Sequence, residues 1–295
     1  MLNPTAFDTL AADYDADFSH TRLGQMLRQR VWAIYRRYFQ PGQHLLELAC
    51  GTGEDALWLA QQGLTITATD GSPHMLAITQ HKAQQAGLSH HITTHPLPLQ
   101  SLATRHSPLA TPHSPLPTRH SPLATRHSPL PTRPSPLPPR LFDGLYTNFG
   151  GLNTINNWSH LAQNLAQLVR PGGNIVLVPM GPVCLWEIAW YLLHGQLKLA
   201  MRRFSQPATA VIGQSTIPIW YPSARRLRRH FAPWFTPLHT ESLGLWLPPS
   251  YLGHLVEKHP ALFHRLHQLE KATAPLTRGW GDHYIIVFQR NYRIT

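Results

Sequence analysis

Short apolar and β-branched runs alternate with helix-length amphipathic stretches, and this alternation restricts the chain to very few folds. Leu23, Met26, Leu27, Val31, Ile34 and Tyr35 recur at three- and four-residue spacing with arginines between them, which predicts a helix that Pro41-Gly42 ends. His44–Ala49 then reads as a strand, 54–62 as a helix, Thr65–Asp70 as a strand, and Ser72-Pro73 as the capped start of a helix running to Ala86-Gly87. His91–Thr94 and Phe142–Asn148 read as the third and fourth strands, Trp158–Val169 as a helix, and Asn174–Pro179 as the fifth strand. Strand, helix, strand at this spacing calls for right-handed crossovers and a parallel sheet with helices on both faces. Further on, a helix is predicted from Pro222-Ser223 to Phe231, a strand near His239–Leu247, a helix from Tyr251 to about Lys271, and a last strand over His283–Phe288. The run Ile175–Leu193 carries a single charge, Glu187, but Pro179, Gly181 and Pro182 interrupt it. It therefore reads as a strand leading into a separate helix rather than as a membrane span.

Residues 103–137 break the pattern with five seven-residue copies: ATRHSPL, ATPHSPL, PTRHSPL, ATRHSPL and PTRPSPL. A period of seven suggests a coiled coil, yet each copy has a proline in Ser-Pro-Leu and only one leucine to bury. The segment is expected to be a disordered, proline-rich insert. The chain divides accordingly into an N-terminal helical segment, 1–42, placed to act as a lid, and a larger domain, 43–295, that the insert interrupts. Two cysteines, Cys50 and Cys184, cannot build a disulfide scaffold, and the acidic, polar start does not read as a signal peptide; both fit a cytoplasmic protein. The net charge of +11 is uneven: residues 1–102 carry −2, 103–195 carry +4 and 196–295 carry +9. Arg225, Arg226, Arg228 and Arg229 in the basic third keep an RNA-binding or RNA-modifying role as an alternative, although no aromatic-and-basic signature accompanies them.

Chemistry is concentrated in Leu45-Leu46-Glu47-Leu48-Ala49-Cys50-Gly51-Thr52-Gly53-Glu54-Asp55, which joins a strand end to a helix start. In a parallel sheet, ligands bind beyond the carboxyl ends of the strands. Glycines at 51 and 53 let backbone approach a ligand without an intervening Cβ. Asp70, ending the next strand, can accept hydrogen bonds from both hydroxyls of a ribose, so the pair points to an adenosine-bearing cofactor. Gly51-x-Gly53-x-x-Ala56 formally fits the dinucleotide fingerprint, which keeps a nicotinamide-dependent oxidoreductase as a rival. Glu47, Glu54 and Asp55 around the turn would repel a pyrophosphate, however, and would favour a cofactor with sulfonium and ammonium groups.

With these residues in place the chain resembles the class I S-adenosylmethionine-dependent methyltransferases, similar to the small bacterial enzymes that act on quinones and other small molecules. FDTLAADYDADF, LLELACGTGEDALWLA, TATDGSPHMLAITQHKA, FDGLYTNFGGLN, LAQLVRPGGNIVLV and GDHYIIVFQR carry the resemblance. It implies an α/β, Rossmann-like fold: a seven-stranded, mostly parallel sheet ordered 3-2-1-4-5-7-6, strand 7 antiparallel, with helices on both faces. It implies S-adenosylmethionine as cofactor, with Glu47 near the methionine amino group, Gly51 and Gly53 meeting the cofactor through backbone, and Asp70 on the ribose. Gly71, Ser72 and Met75 are expected beside the adenine, and Asn148 and Phe149 between the methionine part and the substrate. Tyr14 resembles the N-terminal tyrosine that closes over the cofactor, with plain packing as its alternative; helix core is the alternative for Met75. After the third strand the family usually places an acidic residue against the adenine amino group. Here Thr94-His95-Pro96-Leu97 offers none, so His95 or a backbone group is the substitute.

Methyl transfer from a sulfonium is a direct displacement, and it needs a base only if the nucleophile must lose a proton. His20, beside the lid, and His283, entering the last strand, are the candidate catalytic bases. Trp186, Trp190 and Tyr191 form an aromatic stripe that would suit an apolar or aromatic small-molecule acceptor, with core packing as the alternative. Lys198, Arg202 and Arg203 follow the stripe, so contact with an anionic lipid surface is a further expectation. No metal site is expected, and the pattern does not define an oligomeric state. Excising residues 103–137 is expected to leave S-adenosylmethionine affinity, measured by calorimetry, within about tenfold of the intact chain's.

Overall fold

A computed structural model describes residues 5–104, 141–205, 207–212 and 215–292. Residues 105–137 of the repeat, and with them the expected disorder of the insert, lie outside the described residues. In chain order the elements are α1 (Thr5–Asp8), a π turn (Asp15–Ser19), α2 (Arg22–Tyr38), β1 (His44–Leu48), α3 (Glu54–Gln61), β2 (Thr65–Asp70), α4 (Pro73–Gln85), β3 (Ile92–Pro96) and α5 (Leu99–Leu102). After the repeat come β4 (Phe142–Thr147), α6 (Trp158–Leu168), β5 (Val169–Leu177), α7 (Leu185–Leu193), α8 (Leu197–Ala200), β6 (Ala208–Ile212) and β7 (Ser215–Ile219). The remainder is α9 (Ala224–Phe231), β8 (Phe235–Leu243), α10 (His254–Lys258), α11 (Pro260–Thr277) and β9 (His283–Arg290).

Seven strands form one sheet in the order β3-β2-β1-β4-β5-β9-β8. β1 runs parallel to β2 and β4, β2 to β3, and β4 to β5, whereas β9 is antiparallel to both β5 and β8. This is the anticipated 3-2-1-4-5-7-6 arrangement, because β6 and β7 stand apart as a two-stranded antiparallel hairpin. That hairpin is the one β unit the sequence pattern did not announce: Pro218 and the short, polar-interrupted runs on either side gave no clear period of two. The strand expected near His239–Leu247 begins earlier, at Phe235. The single helix expected from Tyr251 to Lys271 is broken into a 3-10 turn at Ser250–Leu252, α10 and α11, with Pro260 at the start of the last.

Side chains alternate across the sheet and build a core on each face. Leu45, Ile66, Val176, Ile285 and Val287 pack with Leu23, Leu27, Val31 and Tyr35 of α2 and Phe263 of α11. Leu46, Leu48, Phe142, Leu145, Ile286 and Phe288 face Trp158, Leu161 and Leu165 of α6 and Leu227 and Phe231 of α9. α2 is thus part of the core, and within the expected 1–42 lid Phe7 and Tyr14, ahead of α2, reach the space beyond the sheet's carboxyl edge. Ala103, assigned to the insert by its repeat, is also core: it packs with Leu99 and Leu102 of α5, and Asn164 donates to the Leu102 carbonyl at 2.7 Å.

Two helix starts, at Ser72 and Ser223, follow their sequence signals, and a third is capped in the same way. Thr21, Ser72 and Ser223 each accept a hydrogen bond from the backbone N–H three residues on, and Pro73 occupies the first turn of α4. Gly53 precedes α3 at φ +79°, and a Cβ there would stand 2.5 Å from Thr79 Cγ2 of α4. Its role is close helix packing behind the turn, in addition to left-handed backbone. Gly53→Ala is expected to destabilise the protein by about 2–4 kcal/mol, combining backbone strain and overpacking, in a urea titration.

Candidate functional site

Beyond the carboxyl ends of β1, β2 and β4 lies a cavity of about 530 Å³. Nine of the ten residues expected around the cofactor line it: Tyr14, Glu47, Gly51, Asp70, Gly71, Ser72, Met75, Asn148 and Phe149. Gly53 is absent from the lining, for the packing reason given above. Gly51 has φ +55°, and a Cβ built on it would meet only Tyr14 Cε1, at 3.9 Å, so its open side faces the cavity.

Asp70 is fixed by backbone. Its Oδ2 accepts from the Gly51 N–H at 2.9 Å and its Oδ1 from the Ser72 N–H at 2.8 Å. A carboxylate has about four acceptor sites, so both oxygens keep capacity for hydroxyl donors. Burial raises its pKa, against the lowering effect of these N–H groups. Ser72 caps α4, and its hydroxyl also donates to Asp8, which sits 3.1 Å from His74 Nδ1.

Glu47 is the unusual group. It is buried inside β1, and its Oε2 has no hydrogen-bond partner. Burial pushes its pKa well above the ordinary value, and the neighbouring Asp55 charge adds to the shift. Asp55 is itself satisfied: Trp32 Nε1 donates to Oδ1 at 2.7 Å, while Arg28 Nη1 (2.7 Å) and Asn148 Nδ2 (2.8 Å) donate to Oδ2. These bonds turn Asn148 so that its Oδ1 accepts from the Phe149 N–H. Phe149, at φ +43°, lies edge-on to Phe18 and carries the Arg28 guanidinium 5.1 Å over its ring. Arg28 lines the cavity and leaves its Nε unbonded. Burial raises the pKa of Tyr14, the Arg28 charge opposing, so its hydroxyl stays protonated.

Arg28 is a cavity residue that sequence reasoning passed over, whereas Asp55 is one of the acids it singled out beside the turn. Arg28 looked like one of several arginines spacing an amphipathic helix, yet its helix face points at the cavity. Of the two acids opening α3, Asp55 is the one in the cavity. Glu54 faces Lys82, 2.6 Å away, which also pairs with Asp15 of the π turn; Asp15 in turn accepts from Thr52 Oγ1 at 2.6 Å. Asp15, His20 and Glu54 are close enough to share a cation, and Lys82 already supplies the positive charge to both acids.

The other end of the cavity differs from expectation. Trp186, Trp190 and Tyr191 are not in its lining: Trp186 packs on Phe263, Trp190 on His194, and Tyr191 stacks on Tyr251. The wall is made instead by Thr209, Ala210, Val211 and Ile219 of the hairpin, with Tyr221, Met180, Arg202 and Tyr251. Behind it, buried Glu187 accepts from Arg202 through Nε and Nη2, both at 2.8 Å, from Arg203 and from the Tyr251 hydroxyl. Burial alone would raise the Glu187 pKa, but the two guanidiniums outweigh it and hold it below the ordinary value.

Both candidate bases also fall outside the lining. His20 is exposed, 3.7 Å from Glu54. His283 is buried behind Phe149, its Nδ1 3.0 Å from Asp282. His95 does not reach the cavity either, and Pro98, Leu99 and Gln100 line it there. The α9 arginines, the basis of the nucleic-acid alternative, contribute nothing to the lining, and Arg228 is tied to Thr240. Among the described residues no helix is long and apolar enough to cross a membrane.

The profile of the methyltransferase-domain family matches residues 25–232. The chain belongs to that family, and its fold is that of the class I S-adenosylmethionine-dependent methyltransferases. A Geobacillus sp. (strain WCH70) protein named as a methyltransferase is 47% identical over 45 residues, 15% of this chain and 18% of its own. A demethylmenaquinone methyltransferase of Symbiobacterium thermophilum is 34% identical over 80 residues, 26% of this chain and 32% of its own. The chain thus matches a third or less of these relatives' length. The solved structure of a SAM-dependent methyltransferase from Methanosarcina mazei superposes with TM-score 0.53 at 14% identity, covering 88% of this chain and 98% of that one.

The residues present suit the cofactor the family implies. A buried carboxylate with one oxygen unsatisfied, a glycine open to the cavity and a backbone-anchored acid with spare acceptor sites converge on one space. The raised pKa of Glu47 has a signed consequence for stability. The folded protein holds a proton there that the unfolded chain releases near the ordinary value, so this group stabilises fully below that pH. The contribution is lost as pH rises through the raised folded value. Glu47→Gln, neutral at every pH, is expected to raise the stability of the ligand-free protein at pH 8 and to change it little at pH 4. Thermal unfolding at the two pH values reads the difference.

Proposed function

We propose that this protein transfers a methyl group from S-adenosylmethionine to a small, apolar or aromatic molecule by direct displacement. The observation that carries the reading is the meeting of Glu47, the Gly51 backbone and Asp70 at one cavity, with Glu47 Oε2 unsatisfied by protein. Asp70 would accept the ribose hydroxyls, and Glu47 the ammonium group. Arg28, with its free Nε, would face the donor's carboxylate. Met75 would cover the adenine on its apolar side, and Tyr14 and Phe149 would exclude water.

When bound, the donor supplies a methyl group on a sulfonium whose sulfur leaves as a neutral thioether. The protein's task is then alignment, which can contribute about 7–11 kcal/mol without a covalent step. The acceptor end favours apolar surface through Ala210, Val211, Ile219 and Met180. The name of the Symbiobacterium relative specifies demethylmenaquinone as its acceptor, which supports an apolar or aromatic acceptor here. No histidine lines the cavity among the described residues, and burial raises the pKa of both Tyr221 and Tyr251. The acceptor best suited to this site is therefore one whose nucleophile needs no side-chain base.

Calorimetry with S-adenosylmethionine tests the reading. The wild type is expected to bind, Asp70→Ala to lose at least about a hundredfold in affinity, and Glu47→Gln at least about tenfold, as charge-assisted hydrogen bonds disappear. Wild-type affinity is expected to tighten as pH rises through the range where Glu47 ionises, and this trend to vanish in Glu47→Gln. Wild type that binds no donor overturns the proposal.

A further inference from the structure

The surface beside the acceptor end of the cavity is turned inside out. α7 reads LWEIAWYLL, and its one fully buried residue is its one charge, Glu187, 1% exposed. Its apolar residues are half-buried or exposed. The exposure continues through α8 and the turn after it: Leu193 is 84% exposed, Leu197 63% and Phe204 51%, with Leu192, Leu199 and Met201 also in solvent. A soluble protein rarely leaves so dense an apolar run uncovered. The run borders the cavity: Arg202, which follows it, lies over the rings of Tyr191 and Tyr251, and Arg202, Tyr251 and the exposed Val211 all line the cavity.

We propose that this face, from Leu192 to Phe204, docks on an anionic lipid surface, so that a lipophilic acceptor can pass from the bilayer into the cavity. Charge selects this occupant. From 188 to 204 the chain has no Asp or Glu and three Lys or Arg, of which Arg202 and Arg203 pair with buried Glu187 while Lys198 stays exposed. Lys198 lies exposed among the leucines, where its stem can join the apolar layer while its ammonium meets phosphate. A second copy suits the face less well, because the 188–204 stretch carries no exposed acid to meet a partner's Lys198. Partial insertion of α7 and α8 into the headgroup layer needs no membrane-spanning helix.

The supply of acceptor rests on the methyltransferase reading, but docking itself does not, and flotation separates the two. The full chain is mixed with vesicles of phosphatidylcholine alone or with phosphatidylglycerol added, and S-adenosylmethionine binding is measured on the same preparations. Wild type is expected to float with the anionic vesicles, and several-fold less with the neutral ones. Leu193→Ser/Leu197→Ser should lose at least about tenfold in vesicle partitioning while keeping its circular dichroism and donor affinity. Lys198→Glu should lose the preference for phosphatidylglycerol alone. Wild type that stays in the dense fraction with both vesicles overturns docking, whether or not it binds the donor. So does a folded double variant that floats as well as wild type, or a stable dimer that the double variant splits without any flotation. Flotation without donor binding would leave the surface standing and remove the methyltransferase reading.

Discussion

A carboxylate buried beside a second acid, with one oxygen left unsatisfied, is the constraint around which the site is organised. Glu47 sits in the middle of the sheet, next to a second acid, Asp55, whose own charge is consumed by Arg28, Trp32 and Asn148. An uncompensated charge in such a place is costly, and burial shifts Glu47 toward its neutral form. The same circumstance makes the cavity receptive to a cation. A positive ligand favours the ionised form of Glu47 and pairs with it, so binding is coupled to release of its proton.

The N-terminal residues complete the enclosure through polar links to the structure around the glycine turn. Asp8 reaches Ser72 and His74, Asp15 reaches Thr52 and Lys82, and Tyr14 lies between them against Gly51. Ser72 and Thr52 belong to the loops that follow β2 and β1, the same loops that carry Asp70 and Gly51. Lid and binding loops therefore share hydrogen bonds, which couples the order of one to that of the other. Asp55 plays the matching part below: through Asn148 and Arg28 it fixes the strand-four loop against α2.

Much of this was legible in the sequence because local chemistry dictated it. Alternating runs gave the parallel sheet, Ser72-Pro73 the helix start, and the Glu47–Gly51–Asp70 spacing the cavity. Gly53 was misjudged because its neighbour, Thr79, lies on another helix and is distant in sequence. Arg28 was hidden for the same reason: a charged residue on an amphipathic helix looks solvated until tertiary packing turns it inward. The acceptor end was the least readable. Trp186, Trp190 and Tyr191 signalled a pocket by type, but packing directed them to Phe263, His194 and Tyr251, while an unheralded hairpin formed the wall.

The central claim is that the acids around the first strand's glycine turn receive a cationic methyl donor. A crystal structure of the protein with S-adenosylmethionine addresses it most directly. The account predicts the donor's ribose hydroxyls on Asp70 and its ammonium group on Glu47, with the sulfonium methyl turned toward the hairpin wall. A donor seated elsewhere, or a Glu47 still without a partner in the complex, would contradict it.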